Sequence, residues 1–363
     1  MRASNKLFGK KEADHDREML RKDRTRKILY ILIVIVILAV LSAYSITISS
    51  TGITPMEVYK TLFNQIFPDF FSDVPEQTQK IIMKVYAPRV LMAIFAGGIL
   101  AIGGCIVQTI LKNPLATPYT LGVSSSAAFG AGLSIILGIS TAVGFTGIIL
   151  NAFLFSLIPA IIILLATARK NMTATTMILI GISLSYLFSA ANTIMQYFGN
   201  ADAVKEAMFW SVGDLNNAMI GQIPYVAVTL IFTLIVAIWL LKDIDIMRMG
   251  DDTATALGIN VKRTRTLAIV LACFSTAVVV SFVGAIGFVC LLAPQISRIF
   301  VGNNMRYLLP ASMFTGMLLL VIADIIAKDL VNPIILPVGA ITALVGAPIL
   351  IYLLIRNRNT IVS

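Results

Sequence analysis

Asp324 is the acidic side chain of this sequence that lies well inside an apolar run, and a charge in such surroundings needs a partner or a task. Two chemistries fit it. It could form part of a proton or cation site in an ion-coupled transporter, or it could pair with Lys328, one helical turn on at i+4. The sequence leaves both open. Other chemistry is excluded more firmly. The single histidine, His15, sits in a charged N-terminal arm, so no histidine-ligated metal site forms among the apolar segments. Cys105, Cys273 and Cys290 all fall inside apolar runs and read as small buried hydrophobes with no disulfide framework. No Ser/His, Cys/His or paired-carboxylate set occurs in the spans, which argues against an intramembrane hydrolase. The one Gly-Lys pair, Gly9-Lys10, lacks a glycine five residues earlier and is followed by Lys11, so the phosphate-cradling loop is missing. Neither ATP hydrolysis by this chain alone nor a cofactor is expected.

The elements that must carry these residues follow from composition. Of 363 residues 58% are hydrophobic and 13% charged, against about 25% charged in a soluble protein. A soluble domain is excluded. A membrane-spanning helix uses about 20 apolar residues, and hydropathy places spans at 28–48, 86–108, 119–139, 145–167, 174–198, 222–241, 265–284, 286–301, 308–327 and 336–355. The reading is therefore an all-α, polytopic membrane protein of about ten helices. The first apolar run follows a basic segment as a signal peptide would, but it continues to Ile48 without a small-residue cleavage pattern, so it reads as an uncleaved span. Residues 1–27 form a basic arm, 28–356 the membrane domain and 357–363 a tail.

Charge orients the bundle. With ten spans, 22 of the 28 Lys and Arg residues fall on one side and six on the other, which places both termini in the cytoplasm and the protein in the cell membrane. The net charge of +10 is thereby accounted for by topology in a lipid bilayer, without nucleic acid.

Turn chemistry punctuates the spans. In the external segment 49–85, Thr54-Pro55-Met56-Glu57 has the spacing of a helix N-terminus and predicts a short surface helix. Residues 199–221, with Met208, Phe209 and Trp210, suit an interfacial helix. The cytoplasmic loop 242–265 holds Asp251 to Asn260, which predicts a short amphipathic helix ending at Gly258. Lys112-Asn113-Pro114-Leu115-Ala116-Thr117-Pro118 reads as a rigid turn, and Gly284 to Phe288 as a helix break. Ala93, Gly97, Ala101 and Cys105, and likewise Gly122, Ser126, Gly130 and Ser134, recur at every fourth residue. Such seams let helices approach closely.

These stretches together resemble a known family. Pro88-Arg89 with the Gly-rich span to Gln108, Asn113-Pro114-Leu115-Ala116 with Leu121-Gly122-Val123-Ser124, Ile286-Gly287-Phe288-Val289 with Ala293-Pro294 and Arg298, and Ala323-Asp324 with Leu336-Pro337-Val338-Gly339 and Gly346-Ala347-Pro348 resemble the permease subunits of type II ABC importers for iron-siderophores, haem and cobalamin. The resemblance runs from about Ala87 to Arg356. It implies a permease dimer enclosing a path, most simply a homodimer, with two ATP-binding subunits on the cytoplasmic face and an external substrate-binding protein. It also implies roles. Arg89 and Lys328 match positions that dock the binding protein. Asn113, Leu115, Ala174 and Thr175 match a cytoplasmic gate, and Ala256, Leu257 and Gly258 match the coupling contact with the ATPase. Tyr86 and Gln295 depart from the family pattern, which commonly has a basic residue and a histidine there.

Overall fold

The computed structural model describes residues 2–48, 54–67, 70–71, 74–169, 173–331 and 334–356. The expected tail 357–363 lies outside the described residues, as do Lys170 and parts of the 49–85 segment. Helices and turns make up the described residues, with no strand among them.

The chain opens with α1 (Arg2–Thr47), a single 46-residue helix in which the basic arm and the first apolar run are continuous. No Gly or Pro falls between Lys10 and Thr51, so nothing in the sequence interrupts it. Helix α2 (Pro55–Ile66) starts as the spacing predicts. The Thr54 side chain accepts from the Glu57 amide, and Glu57 Oε2 accepts from the Thr54 amide at 2.7 Å, a reciprocal cap on both orphan donors.

Helix α3 (Glu76–Ile81) runs through a π-helical turn, Ile82–Tyr86, into α4 (Ala87–Ile110). Nearly every α4 side chain is buried, so this is the central post. Its small-residue seam explains how neighbours pack so closely. A Cβ placed at Gly97 would stand 2.5 Å from the Gly316 carbonyl oxygen on α14 (Met305–Asp329), which only glycine on both sides permits. The seam at Gly130 works in the same way, facing the Asn151 carbonyl at 2.5 Å from an added Cβ.

The third span is shorter than hydropathy suggests. Gly122, at φ +97°, ends a 3-10 turn over Tyr119–Leu121, and α5 occupies Val123–Leu137. Next come α6 (Phe145–Ser156) and α7 (Ile158–Arg169), separated at Leu157 just before Pro159. Helix α8 (Ala174–Phe198) is capped by Thr173, and α9 (Ala201–Val212) by Asn200. The α9 helix stands in the segment expected to hold an interfacial helix.

Then follow α10 (Ile223–Met247), the short α11 (Asp251–Ala256), α12 (Val261–Val283) and α13 (Val289–Val301). After α14, the chain ends in α15 (Val338–Arg356), which begins directly after Pro337. Among the described residues seven helical segments are long and apolar enough to cross a membrane, and three shorter apolar helices, Val123–Leu137, Val289–Val301 and Val338–Leu353, occupy the remaining expected spans. At 1.5 Å per residue these three are about 20–24 Å long.

Between α12 and α13 the helix breaks, as the glycines at 284 and 287 predict. Gly284 sits at φ +70° and Phe288 at φ +65°. The backbone freed there is satisfied across the fold: the Asp214 amide donates to the Val283 carbonyl at 2.8 Å, and the Gly339 amide to the Gly213 carbonyl at 3.0 Å. The ends of α9 and α12 and the start of α15 thus meet at glycines. A Cβ at Gly213 would lie 2.7 Å from the Ala285 carbonyl oxygen.

Candidate functional site

The expected site residues fall at two ends of the bundle. At one end Arg89, at the start of α4, donates from Nε to Asp324 Oδ1 at 2.5 Å. Lys328 lies one turn along α14 and contacts Asp324 Oδ2 at 2.6 Å, so the i+4 pairing does form. Ser45 of α1 donates to Asp324 Oδ2 at 3.1 Å and receives Lys328 Nζ at 3.0 Å. Arg89 also donates from Nη1 to Asn216 Oδ1, and Asn216 Nδ2 donates to Asp214 Oδ2 at 2.6 Å. Asp214 thereby supplies a second negative charge one amide away. Two cations and one anion are paired in a space that would otherwise penalise each of them.

Arg89 and Lys328, the residues expected to dock the binding protein, are both drawn into this cluster. Arg89 is 3% exposed, Lys328 6% and Asp324 0%, so neither cation is presented on a surface. The cluster instead ties α1, α4, α14 and the turn before α10 together.

At the other end the residues expected to form a gate and a coupling contact are brought close. Leu115 is 46% exposed, and Thr175 is exposed at the start of α8. The loop carrying Leu115 is braced from within. The Asn113 amide donates to the Gln108 carbonyl at 3.1 Å, and Asn113 Oδ1 accepts the Leu115 amide at 2.9 Å. Gln295 Nε2 donates to the Pro114 carbonyl at 2.9 Å and to Gln108 Oε1 at 3.2 Å. Arg298 Nη1 adds a further bond to that oxygen at 2.8 Å. Gln295, which departs from the family pattern, therefore holds the loop.

Helix α11 lies beside it. Ala256, Leu257 and Gly258 are exposed on the turn that follows, Leu257 at 63%. Gly258, at φ +82°, turns the chain back toward α12. A cleft of about 690 Å³ is lined by Ala174, Asp251, Gly258 and Arg265 among others, so Ala174 and the turn at Gly258 face one space. Burial alone would raise the Asp251 carboxyl, but the Arg265 hydrogen bond and charge, then those of Lys112, outweigh it and hold it below its ordinary range.

One feature escaped sequence reading. Helix α8 exposes Ser183, Tyr186, Ser189, Thr193 and Tyr197 along a span without a charged residue. The signal was present, because its mean hydropathy of 1.6 is the lowest of the seven long spans. Among the described residues no group of three His, Cys, Asp or Glu could hold a metal ion.

An all-α bundle of apolar helices around a buried central post, with polar side chains on α8, is the fold of a multi-pass membrane permease. The chain belongs to the FecCD transport family, which matches residues 32–356. It is 33% identical to the Fe(3+)-citrate import system permease protein YfmE of Bacillus subtilis over 333 residues, covering 92% of this chain and 96% of that one. To the hemin transport system permease protein HmuU of Yersinia pestis it is 30% identical, covering 91% and 95%. A solved metal-chelate type ABC transporter in an inward-facing conformation superposes with a TM-score of 0.77 at 27% identity, covering 90% of this chain and 98% of that one. The protein is thus an ABC-importer permease of the cell membrane and not itself an enzyme; ATP hydrolysis lies with separate subunits.

Proposed function

We propose that this chain forms the translocation path for a metal chelate, an iron-siderophore foremost, with haem and cobalamin as the other substrates of the class. An external binding protein delivers the chelate, and two ATP-binding subunits drive its passage. The path runs between two permease protomers, most simply copies of this chain. The Lys112 end is cytoplasmic, as the distribution of Lys and Arg requires. The observation that carries this reading is the turn after α11: Leu257 is an apolar side chain 63% exposed, directly after a short helix and between charged flanks, suited to seating in a groove on a partner. The gate lies at Asn113, Leu115, Ala174 and Thr175, beside it.

The alternative, an ion-coupled secondary transporter, loses its best residue. Asp324 is bonded to Arg89, Lys328 and Ser45, which makes it part of a structural tie between helices. Reconstitution with the ATP-binding subunits and the binding protein tests the proposal. Uptake of an iron-loaded siderophore should require ATP in the vesicle and persist without an ion gradient. Uptake driven by a proton or sodium gradient in the absence of ATP would overturn it.

A further inference from the structure

We propose that Asp251 is a positioning residue that passes displacement of the coupling turn to the gate loop, an inference that rests on the importer reading above. Its carboxylate is shared between two segments other than its own. Oδ1 accepts Lys112 Nζ at 3.2 Å and Oδ2 accepts Arg265 Nη2 at 2.6 Å. Lys112 belongs to the loop after α4, Asp251 begins α11, and Arg265 lies in the first turns of α12. One side chain therefore joins the gate loop, the coupling helix and the base of a membrane helix.

The two arms differ in kind. Arg265 is buried, its side chain 7% exposed, and anchors the contact in the bundle. Lys112 and Asp251 are each partly open to solvent, so that arm can stretch or re-form as the coupling turn moves. The cleft lined by Asp251, Gly258 and Ala174 leaves room for that movement.

The gate loop is built to transmit a push received at Lys112. Lys112 sits at φ +49°, a left-handed conformation that a lysine adopts only when its surroundings impose it. From there the loop is fixed bond by bond: Asn113 to Gln108, Leu115 to Asn113, and Pro114 to Gln295. A segment held in this way moves as a unit, carrying the exposed Leu115 with it.

The test uses one new cysteine, because Cys105, Cys273 and Cys290 are all buried. A Leu115→Cys chain, assembled with its ATP-binding subunits in vesicles, is labelled with a maleimide in the nucleotide-free and the vanadate-trapped states. Into it are placed Asp251→Asn or Lys112→Asn, asparagine being chosen because it tolerates the left-handed backbone. The comparison variant is Asp252→Asn, which removes the neighbouring first-turn charge of α11 but not the link. Asp251→Asn and Lys112→Asn should lower the ratio of labelling rates between the two states by about tenfold, equivalent to about 1.4 kcal/mol in a two-state equilibrium, with the ATP-binding subunits still bound. Asp252→Asn should leave the ratio as it is. An unchanged ratio in Asp251→Asn overturns the link while leaving the importer reading intact. If Leu115→Cys alone labels identically in both states, the gate itself is misplaced and the link falls with it.

Discussion

Arg89 and Asp324 lie 235 residues apart in the chain and meet at 2.5 Å inside the bundle, where α4 and α14 are pressed together along the Gly97 and Gly316 contact. The glycine seam and the ion pair depend on each other. Close helices bring the charges within reach, and the charges fix the register in which the glycines face.

Removing Asp324 leaves two buried cations without their anion. Breaking such a pair from one side costs about 3–5 kcal/mol. Asp324→Ala should therefore lower the melting temperature of the purified permease in detergent, with no partner present. Arg89→Ala combined with Asp324→Ala should cost less than the sum of the two single changes. Full additivity would mean that the two side chains do not act together.

Gly97→Leu should be worse than any polar substitution on the α8 stripe. The added side chain meets the Gly316 backbone at its first carbon, and overpacking of a close contact costs about 1–3 kcal/mol or more. The expected outcome is loss of the monodisperse peak in size-exclusion chromatography, with Ser189→Ala unaffected. A well-folded Gly97→Leu chain would show that the helices can separate freely.

The cap of α2 should respond to pH. The Thr54 backbone and hydroxyl donate to Glu57 and hold its carboxyl below the ordinary carboxylate value. A lowered folded value means that the cap contributes fully above the unfolded carboxylate range and is lost as pH falls through the lowered one. The protection of the amides at Thr54 and in the first turn of α2, taken relative to their intrinsic exchange at each pH, should hold at neutral pH and fall only at the acid end. Glu57→Gln should remove that dependence.

Leu257→Glu should separate insertion from transport. The side chain is exposed when the chain is alone, so the variant should insert and fold as before. In complex it would place an unpaired carboxylate in an apolar contact, loosening the ATP-binding subunits and abolishing uptake. If subunits and uptake are both retained, the coupling contact is elsewhere.

Much of the architecture was legible because membrane helices are written in composition and charge. The capping signature at Thr54, the break after Val283 and the turn at Gly258 were equally local, each set by a few adjacent residues. The buried cluster was legible only in its local half. Asp324 and Lys328 share a helix face at i+4, but Ser45 and Asn216 come from α1 and a turn before α10, and no spacing announces a contact made over more than a hundred residues. The burial of Arg89 and Lys328 has the same origin. Their place near span ends was readable, whereas the groups around them are supplied by distant segments. The third span was read as longer than α5 because hydropathy does not register the left-handed turn at Gly122.

The bond from the Gly339 amide to the Gly213 carbonyl sets an order on biosynthesis. Gly213 leaves the ribosome long before residue 339 is made, so its carbonyl waits for a donor that arrives with α15. The glycine junction is then the final stitch of membrane assembly, closed only when translation is nearly complete. A chain truncated before α15 would keep the bond from Asp214 to Val283 but leave the Gly213 carbonyl without its donor.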